Sequence, residues 1–364
     1  MWDDLSAHAS EPNPFYESWA LLPAWKRLAG SLNIRIVLVF LDSFSSPTSR
    51  PLLIGLFPIA VRLRHEILHI RTAALWRHTH CPLTTPLLRE GYERAALEGF
   101  LSLLDNDRSF GRVLSFELAS GDGSFYHNLQ TLVNDQMRQM FNYNEFSRPV
   151  FRPMADFETY FGSALSANSR KQFRKKYRDL SNSGKLETLE LKSGDDLDSW
   201  LESFLVLEAS GWKGKQGTAI ASSISDTLFF QEFSKGAFDR GRLQMLMLQF
   251  KGKPVAMQYN LISCDGAFCL KLAYDETYER SSPGFLLDVE ALKILHGRKD
   301  IPWMDSCRSA PVFDILERIW IERRLVRHIL VSTSDRIGRS ILRLLPTARR
   351  LQRALQSWTQ KNPV

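Results

Sequence analysis

Residues 241–274 hold three apolar runs, GRLQMLMLQF, KPVAMQYNLISC and GAFCLKLAY, joined only through KGK and CDG. Links this short leave no room for a crossover, so the runs predict adjacent antiparallel strands. The chain then passes through YERSSPGF, starts a helix at FLLDVEALKIL, and continues into a short strand, IPWMDSC. The order is therefore an antiparallel meander followed by strand, helix and strand.

The remaining sequence extends this mixed pattern. LNIRIVLVFLD (32–42) and PLLIGLFPIAVRLRHEILHI (51–70) are rich in Ile, Val, Leu and Phe and predict strands of a hairpin or meander. GYERAALEGFLSLLDND repeats apolar residues at helical spacing, GRVLSFELAS predicts a strand, and SFYHNLQTLVNDQM a short helix. SRPVFRPMADFETYFGSAL crosses to a second half, where basic SRKQFRKKYRDLSNSGK precedes the strand LETLEL and the helix DDLDSWLESFLVLEAS. A helix near VFDILERIW and a last strand, LVRHILVS, follow IPWMDSC. A chain of 364 residues, 44% hydrophobic and 24% charged, has material for two cores. The expected division is 1–150, 151–333 and a basic amphipathic tail, 334–364.

The helix start at 280–285 has two readings. Ser282 suits an N-cap, Pro283 the first helical position, and Gly284 a close approach of backbone and ligand. Free N–H groups there, with Arg280 just upstream, suit a pyrophosphate. The plainer reading is a self-capped surface helix.

Several segments together resemble one family. They are the basic helix Arg170 to Arg178, LEASGWKGKQGTAI (207–220), FKGKPVAMQYNL (250–261), YERSSPGFLLDVEAL (278–292), and the pair MDSC (304–307) and IWIERR (319–324). LIGLFPIAVR and WRHTHCPLTTPLL extend the likeness into the first half. The chain resembles the acetyltransferase-like domain of proteins associated with cellulose and other exopolysaccharide biosynthesis, related to the FemAB-like branch of the GNAT fold. The resemblance implies an α+β chain of two GNAT-like halves, each a mostly antiparallel mixed sheet flanked by helices. It also implies an N-acyltransferase using acetyl-CoA or another acyl-CoA as co-substrate, with no metal, in exopolysaccharide or cell-envelope biosynthesis.

The implied donor site comprises Ala273, Tyr274, Arg280, Ser281, Ser282, Gly284 and Phe285. A backbone N–H near Ala273 or Tyr274 would polarise the thioester carbonyl where the strand ending at Tyr274 diverges from IPWMDSC. An acceptor amine, free or glycan-linked, would attack directly. Asp305 is the candidate base and Tyr274 the candidate acid, with Asp275 and Glu208 as further candidates for the base. Trp212 and Lys213, in a Gly-rich loop, are candidates to cover the acceptor, or else a packing anchor and a solvated lysine. The common Arg/Gln-x-x-Gly-x-Gly/Ala signature is replaced by Arg280-Ser-Ser-Pro-Gly284-Phe285, with the glycine displaced and the second one missing. That departure keeps two alternatives open: an aminoacyl-tRNA donor, as FemAB-like relatives use, and a non-catalytic binding protein of the same fold.

HEILH (65–69) matches HExxH, the zinc-peptidase pattern, and makes that class a minor alternative. It lies in a β-like run, where positions 65 and 69 would stand about 13 Å apart, too far for one zinc. His78-x-His80-Cys81 reads as packing rather than as metal ligands. The four cysteines lack a CxxC pair and predict reduced, mostly buried thiols. Cys307, with no histidine close in sequence, reads as one of these.

The net charge of +7 suits an anionic partner. In SRKQFRKKYRDL, Phe173, Tyr177 and Leu180 share a face between basic residues, a pattern with two readings: a surface for nucleic acid or acidic lipid, or a helix docked by its stripe with its charges solvated. The tail sets Ile337, Ile341, Leu344 and Leu345 against arginines, with Pro346 as an interruption, and predicts peripheral contact with an anionic membrane. Nucleic acid is not expected beyond tRNA in the alternative reading. With no run of about 18 apolar residues and an acidic start, the expected location is the cytoplasm, at the inner face of the membrane.

Overall fold

The computed structural model describes residues 1–41, 50–62, 68, 70–308 and 318–361, with side chains to residue 350. It divides into two compact units. The first comprises Met1–Asn13, Ser31–Phe146 and Leu325–Val364, and the second Pro14–Gly30 and Ser147–Arg324. Residues 14–30 thus belong with the second half, and the tail with the first.

The first unit contains α1 (Trp2–Ala7), the strands β1 (Ile34–Leu41), β2 (Leu52–Arg62), β3 (Thr72–Leu75) and β4 (Leu87–Leu88), then α3 (Glu93–Asn106), β5 (Val113–Ser120) and α4 (Ser124–Asp135). The first part of β6 (Met140–Phe151), most of β12 (Glu322–Ser332) and the C-terminal helix α11 (Arg336–Lys361) complete it. β1, β2 and β3 pair antiparallel in sequence order. β3 and β5 are parallel, with α3 between them in the chain, and β12 lies antiparallel on the other side of β5.

The second unit repeats this plan. It contains α2 (Ser18–Leu28), α5 (Phe157–Ala164), α6 (Ala167–Ser183), β7 (Leu186–Glu190), α7 (Leu197–Ser210), the single turn α8 (Trp212–Lys215) and α9 (Ile224–Phe238). The strands β8 (Leu243–Phe250), β9 (Lys253–Ser263) and β10 (Gly266–Tyr274), helix α10 (Pro283–His296) and strand β11 (Trp303–Asp305) follow. β7 to β10 are successive antiparallel neighbours, as the short links require. Lys251 and Gly252 both take positive φ (50° and 77°), which lets a two-residue link follow the twist of β8 and β9. β10 and β11 are parallel with α10 between them, the counterpart of β3, α3 and β5. Each unit is thus an antiparallel meander followed by one parallel strand, helix, strand step, an α+β arrangement with no matching repeat in the sequence.

Local chemistry accounts for the helix boundaries. Asp156, Ser166, Asp196 and Ser223 accept backbone N–H groups at the starts of α5, α6, α7 and α9. α10 is buried around most of its circumference. Leu286, Leu287, Val289, Leu292 and Leu295 each gain about 1.5–3 kcal/mol by leaving water. α6 docks by its stripe: Leu180 is buried, and the Phe173 ring lies 5.3 Å from Phe161 and 5.7 Å from Phe285. Lys171, Arg174, Lys175 and Arg178 are exposed.

Two readings fall outside the described residues, and one expectation changes. β2 ends at Arg62, so His65, Glu66 and His69 of HEILH lie outside the described residues, as does most of the VFDILERIW helix. α2, α9 and the long strand β6 are not among the elements expected from the sequence. α11 runs through Pro346 as one helix, and Leu345 turns inward with Leu342 against Val113 and Leu330 rather than sharing the exposed face of Leu344. No helix among the described residues is long and apolar enough to cross a membrane.

Candidate functional site

The site begins where β10 loses a neighbour. Of the residues of β10, β11 pairs with Gly266, Ala267 and Phe268 only. Trp303 lies over Gly266, where a Cβ would come within 2.2 Å of its ring, so the pairing of these two strands needs glycine there. Beyond Phe268, residues 269–274 keep β9 as their strand partner. The N–H of Asp275 donates to the carbonyl of Val255. Alternation along an antiparallel ladder then bonds Ala273 to β9 and turns the Tyr274 N–H to the opposite, open edge. Of the two backbone groups expected from the sequence, the Tyr274 N–H is the one turned to the open edge.

A cleft at this edge is lined by Leu207, Glu208, Gly211, Trp212, Lys213, Leu272, Ala273, Tyr274 and Glu276. It brings together five of the expected residues: Glu208, Trp212, Lys213, Ala273 and Tyr274. Glu208 is buried, and accepts hydrogen bonds from the Ile220 N–H at 2.9 Å and from Lys213 Nζ at 2.8 Å. Lys271, reaching in from β10, puts its Nζ 3.5 Å from the same oxygen. Burial would push the Glu208 carboxyl up, but Lys271 and Lys213 hold it below the ordinary glutamate value. Burial likewise lowers the Lys271 ammonium, against the pull of Glu208. Trp212 is half exposed, and Lys213 lies 5.9 Å from its ring centre. Glu276 accepts the Trp212 N–H and Lys215 Nζ, both at 2.6 Å, and ties this turn to the segment after β10.

The start of α10 differs in detail from the sequence reading. Ser282 occupies the N-cap position with φ 52°, and its hydroxyl caps no backbone N–H. It accepts a hydrogen bond from Lys176 of α6 at 2.6 Å instead. Lys176 thereby brings a cation to a helix start whose first N–H groups have no partner within the helix. Arg280 is exposed and makes no ion pair among the described residues. Ser281 closes the 3-10 turn Glu276–Ser281. The space beside Gly284 is filled by protein: an added Cβ would meet Tyr274 Cδ1 at 3.0 Å and Leu272 Cδ2 at 3.4 Å. Gly284 therefore admits the Tyr274 ring. Phe285 is buried among aromatic rings.

Two expected bases serve other purposes. Asp275 caps the 3-10 turn, accepting the N–H and hydroxyl of Thr277. Asp305 is paired in register with Phe268, six residues before Tyr274, which places it roughly 20 Å from Tyr274 along the strand. It is fully buried, accepts the Cys307 N–H at 2.7 Å, and pairs with Arg324 at 3.0 Å and Arg148 at 3.5 Å. The Cys307 thiol is pushed well up by burial and by Asp305. Nearby, Asp288 of α10 accepts from Gln258 at 3.0 Å and from Trp320 at 2.9 Å, fastening the helix over the sheet. MDSC and IWIERR thus meet through Asp305 with Arg324, and IWIERR also supplies Trp320.

Sequence reasoning missed Lys271, Glu276 and the Lys176 to Ser282 contact. A lysine inside the apolar run GAFCLKLAY was the visible sign of the first. The other two depend on segments brought together only by folding.

Residues 167–313 match the acetyltransferase (GNAT) domain family. No curated protein matches the chain in sequence. Among solved structures, FemX superposes with a TM-score of 0.59 at 7% identity, over 91% of this chain and 94% of that one. A conserved protein of unknown function from Bacteroides thetaiotaomicron does so with 0.57 at 10% identity, over 91% and 96%. Residues 167–313, which carry the open edge of β10, the cleft and the start of α10, match the GNAT domain family, and the chain over most of its length shares the fold of FemX.

Proposed function

We propose that the chain is an N-acyltransferase that takes its acyl group from an acyl-thioester, acetyl-CoA first, and passes it to an amine. The open edge of β10 supports this reading: Tyr274, whose N–H is turned to that edge, lines the cleft and packs its ring beside Gly284 in the first turn of α10, where Lys176 meets Ser282. In the reaction, the amine nitrogen bonds to the thioester carbonyl carbon and the C–S bond breaks. The Tyr274 N–H stabilises charge on the carbonyl oxygen. Glu208, the carboxylate that lines the cleft, receives the amine proton, and the Tyr274 hydroxyl donates one to the leaving thiolate. Asp275 and Asp305 have no part in this step. The resemblance found in the sequence suggests an amine on a small molecule or glycan of the cell envelope, acylated in the cytoplasm.

Calorimetric titration of the full chain with acetyl-CoA tests the donor site. Saturable binding is expected, weakened about tenfold or more in Lys176→Ala and Arg280→Ala and at raised salt. Amines are then screened by thiol release. Absence of acetyl-CoA binding by the wild type would sink the thioester reading. The missing second glycine and the exposed Lys171, Lys175 and Arg178 of α6 favour aminoacyl-tRNA as the next donor to titrate. Binding without turnover of any amine would favour a non-catalytic protein of the same fold.

A further inference from the structure

α11 has two apolar faces; the first unit buries one of them and, on the other, reaches only the half-buried Ile341. Leu342 and Leu345 are buried against Val113 and Leu330. Ile337 and Leu344 are 55% and 65% exposed, and Ala348 is exposed beside them. Positions 337, 341, 344 and 348 alternate steps of four and three, and the sequence keeps that spacing at Leu351, Leu355 and Trp358. Over the described side chains, 337 to 348, the stripe is roughly 16 Å long, and the sequence continues its period to residue 358.

The charge on this helix is one-sided. Residues 336–361 contain seven arginines and lysines and no acid, out of 47 basic residues in the chain. The other 40 are matched by the chain's 40 acidic residues, so the entire net charge of +7 lies on α11. Among the described residues, Arg336, Arg339, Arg343, Arg349 and Arg350 make no ion pair with a carboxylate.

We propose that the exposed face of α11 docks on an anionic lipid surface. A second copy of the helix would answer the apolar stripe but would set seven cations against seven with no acid between them. A neutral apolar partner would leave the arginines without counter-charge. A bilayer carrying anionic headgroups meets both requirements, with Ile337 and Leu344 at the acyl boundary and the arginines at the phosphates. Leu345 has no part in this contact. The proposal is independent of the acyl-transfer reading.

Co-sedimentation of the full chain with vesicles tests it, comparing pure phosphatidylcholine with phosphatidylcholine mixed with phosphatidylglycerol. Binding is expected to the mixed vesicles alone, falling about tenfold at high salt and about tenfold in Leu344→Glu. Leu344 is mostly exposed, so this variant should melt at the wild-type temperature. Arg343→Glu with Arg350→Glu gives a second variant aimed at the charges alone. Three results would overturn the proposal. One is no binding to the mixed vesicles. Another is binding unchanged in both variants. The third is a dimer in light scattering that Leu344→Glu converts to a monomer, which would assign the stripe to a second copy.

Discussion

Lys271 places its Nζ 3.5 Å from an oxygen of Glu208 that Lys213 also binds, at 2.8 Å, so two ammonium groups share one buried carboxylate at the edge of the cleft. Removing that carboxylate strands Lys271 in a poorly solvated position. Glu208→Gln is expected to lower stability by about 3 kcal/mol, read from the urea midpoint. Adding Lys271→Met should recover part of the loss, because the stranded charge is removed too. An unchanged midpoint in Glu208→Gln would refute the ion cluster.

Asp305 predicts a different outcome from that of an active-site base. Its carboxylate is buried between Arg148 and Arg324, roughly 20 Å along the strand from Tyr274. Asp305→Asn leaves the guanidinium groups short of a counter-charge and is expected to cost about 3–5 kcal/mol of stability. Under conditions where the variant remains folded, acetyl-CoA affinity should match the wild type. A stable variant with lost turnover would return Asp305 to the chemistry.

Gly284 and Tyr274 form a close contact in which the helix start receives a ring. In Gly284→Ala the new methyl would stand 3.0 Å from Tyr274 Cδ1 and 3.4 Å from Leu272 Cδ2, and the ring would have to shift. Overpacking of this kind costs about 1–3 kcal/mol. Because Tyr274 also lines the cleft, acetyl-CoA affinity should fall with stability. Tyr274→Ala combined with Gly284→Ala should relieve the strain and give a smaller stability loss than the two single changes add to. Additive losses would show that the contact carries no strain.

The sequence revealed what depends on local spacing. Strand order around KGK and CDG, the stripe of Phe173, Tyr177 and Leu180, and the helix after Pro283 all follow from turn length and apolar period. What it hid depends on long-range register. Asp305 looks like a strand-end carboxylate until its pairing with Phe268 fixes how far it lies from Tyr274. Gly284 looks like a ligand contact until the Tyr274 ring occupies the space. Lys176 reads as one basic residue among several until α6 docks and delivers it to Ser282. The repeated meander and parallel step in the two units share backbone topology without shared residue pattern, since many apolar sequences satisfy the same strand and helix periods.

Asp335 anchors the first turn of α11 and gives that helix an acid-sensitive start. Its carboxylate accepts the N–H groups of Ile337 and Gly338, each at 2.9 Å, and the Thr333 hydroxyl, and it pairs with Arg108 and Arg112. Burial would raise its carboxyl, but the Gly338 N–H, the Thr333 hydroxyl and the two arginines hold it well below the ordinary value of 3.8. On acidification the unfolded chain therefore takes up this proton first. The stabilisation is fully present above the ordinary carboxylate value and is lost progressively as pH falls below it. Asp335→Ala is expected to cost about 1–2 kcal/mol at neutral pH through the lost cap. Asp335→Asn, which keeps an acceptor oxygen, should cost less and flatten the acid limb. Urea midpoints between neutral pH and the acid limit check both, and parallel acid limbs for wild type and Asp335→Asn would refute the lowered carboxyl.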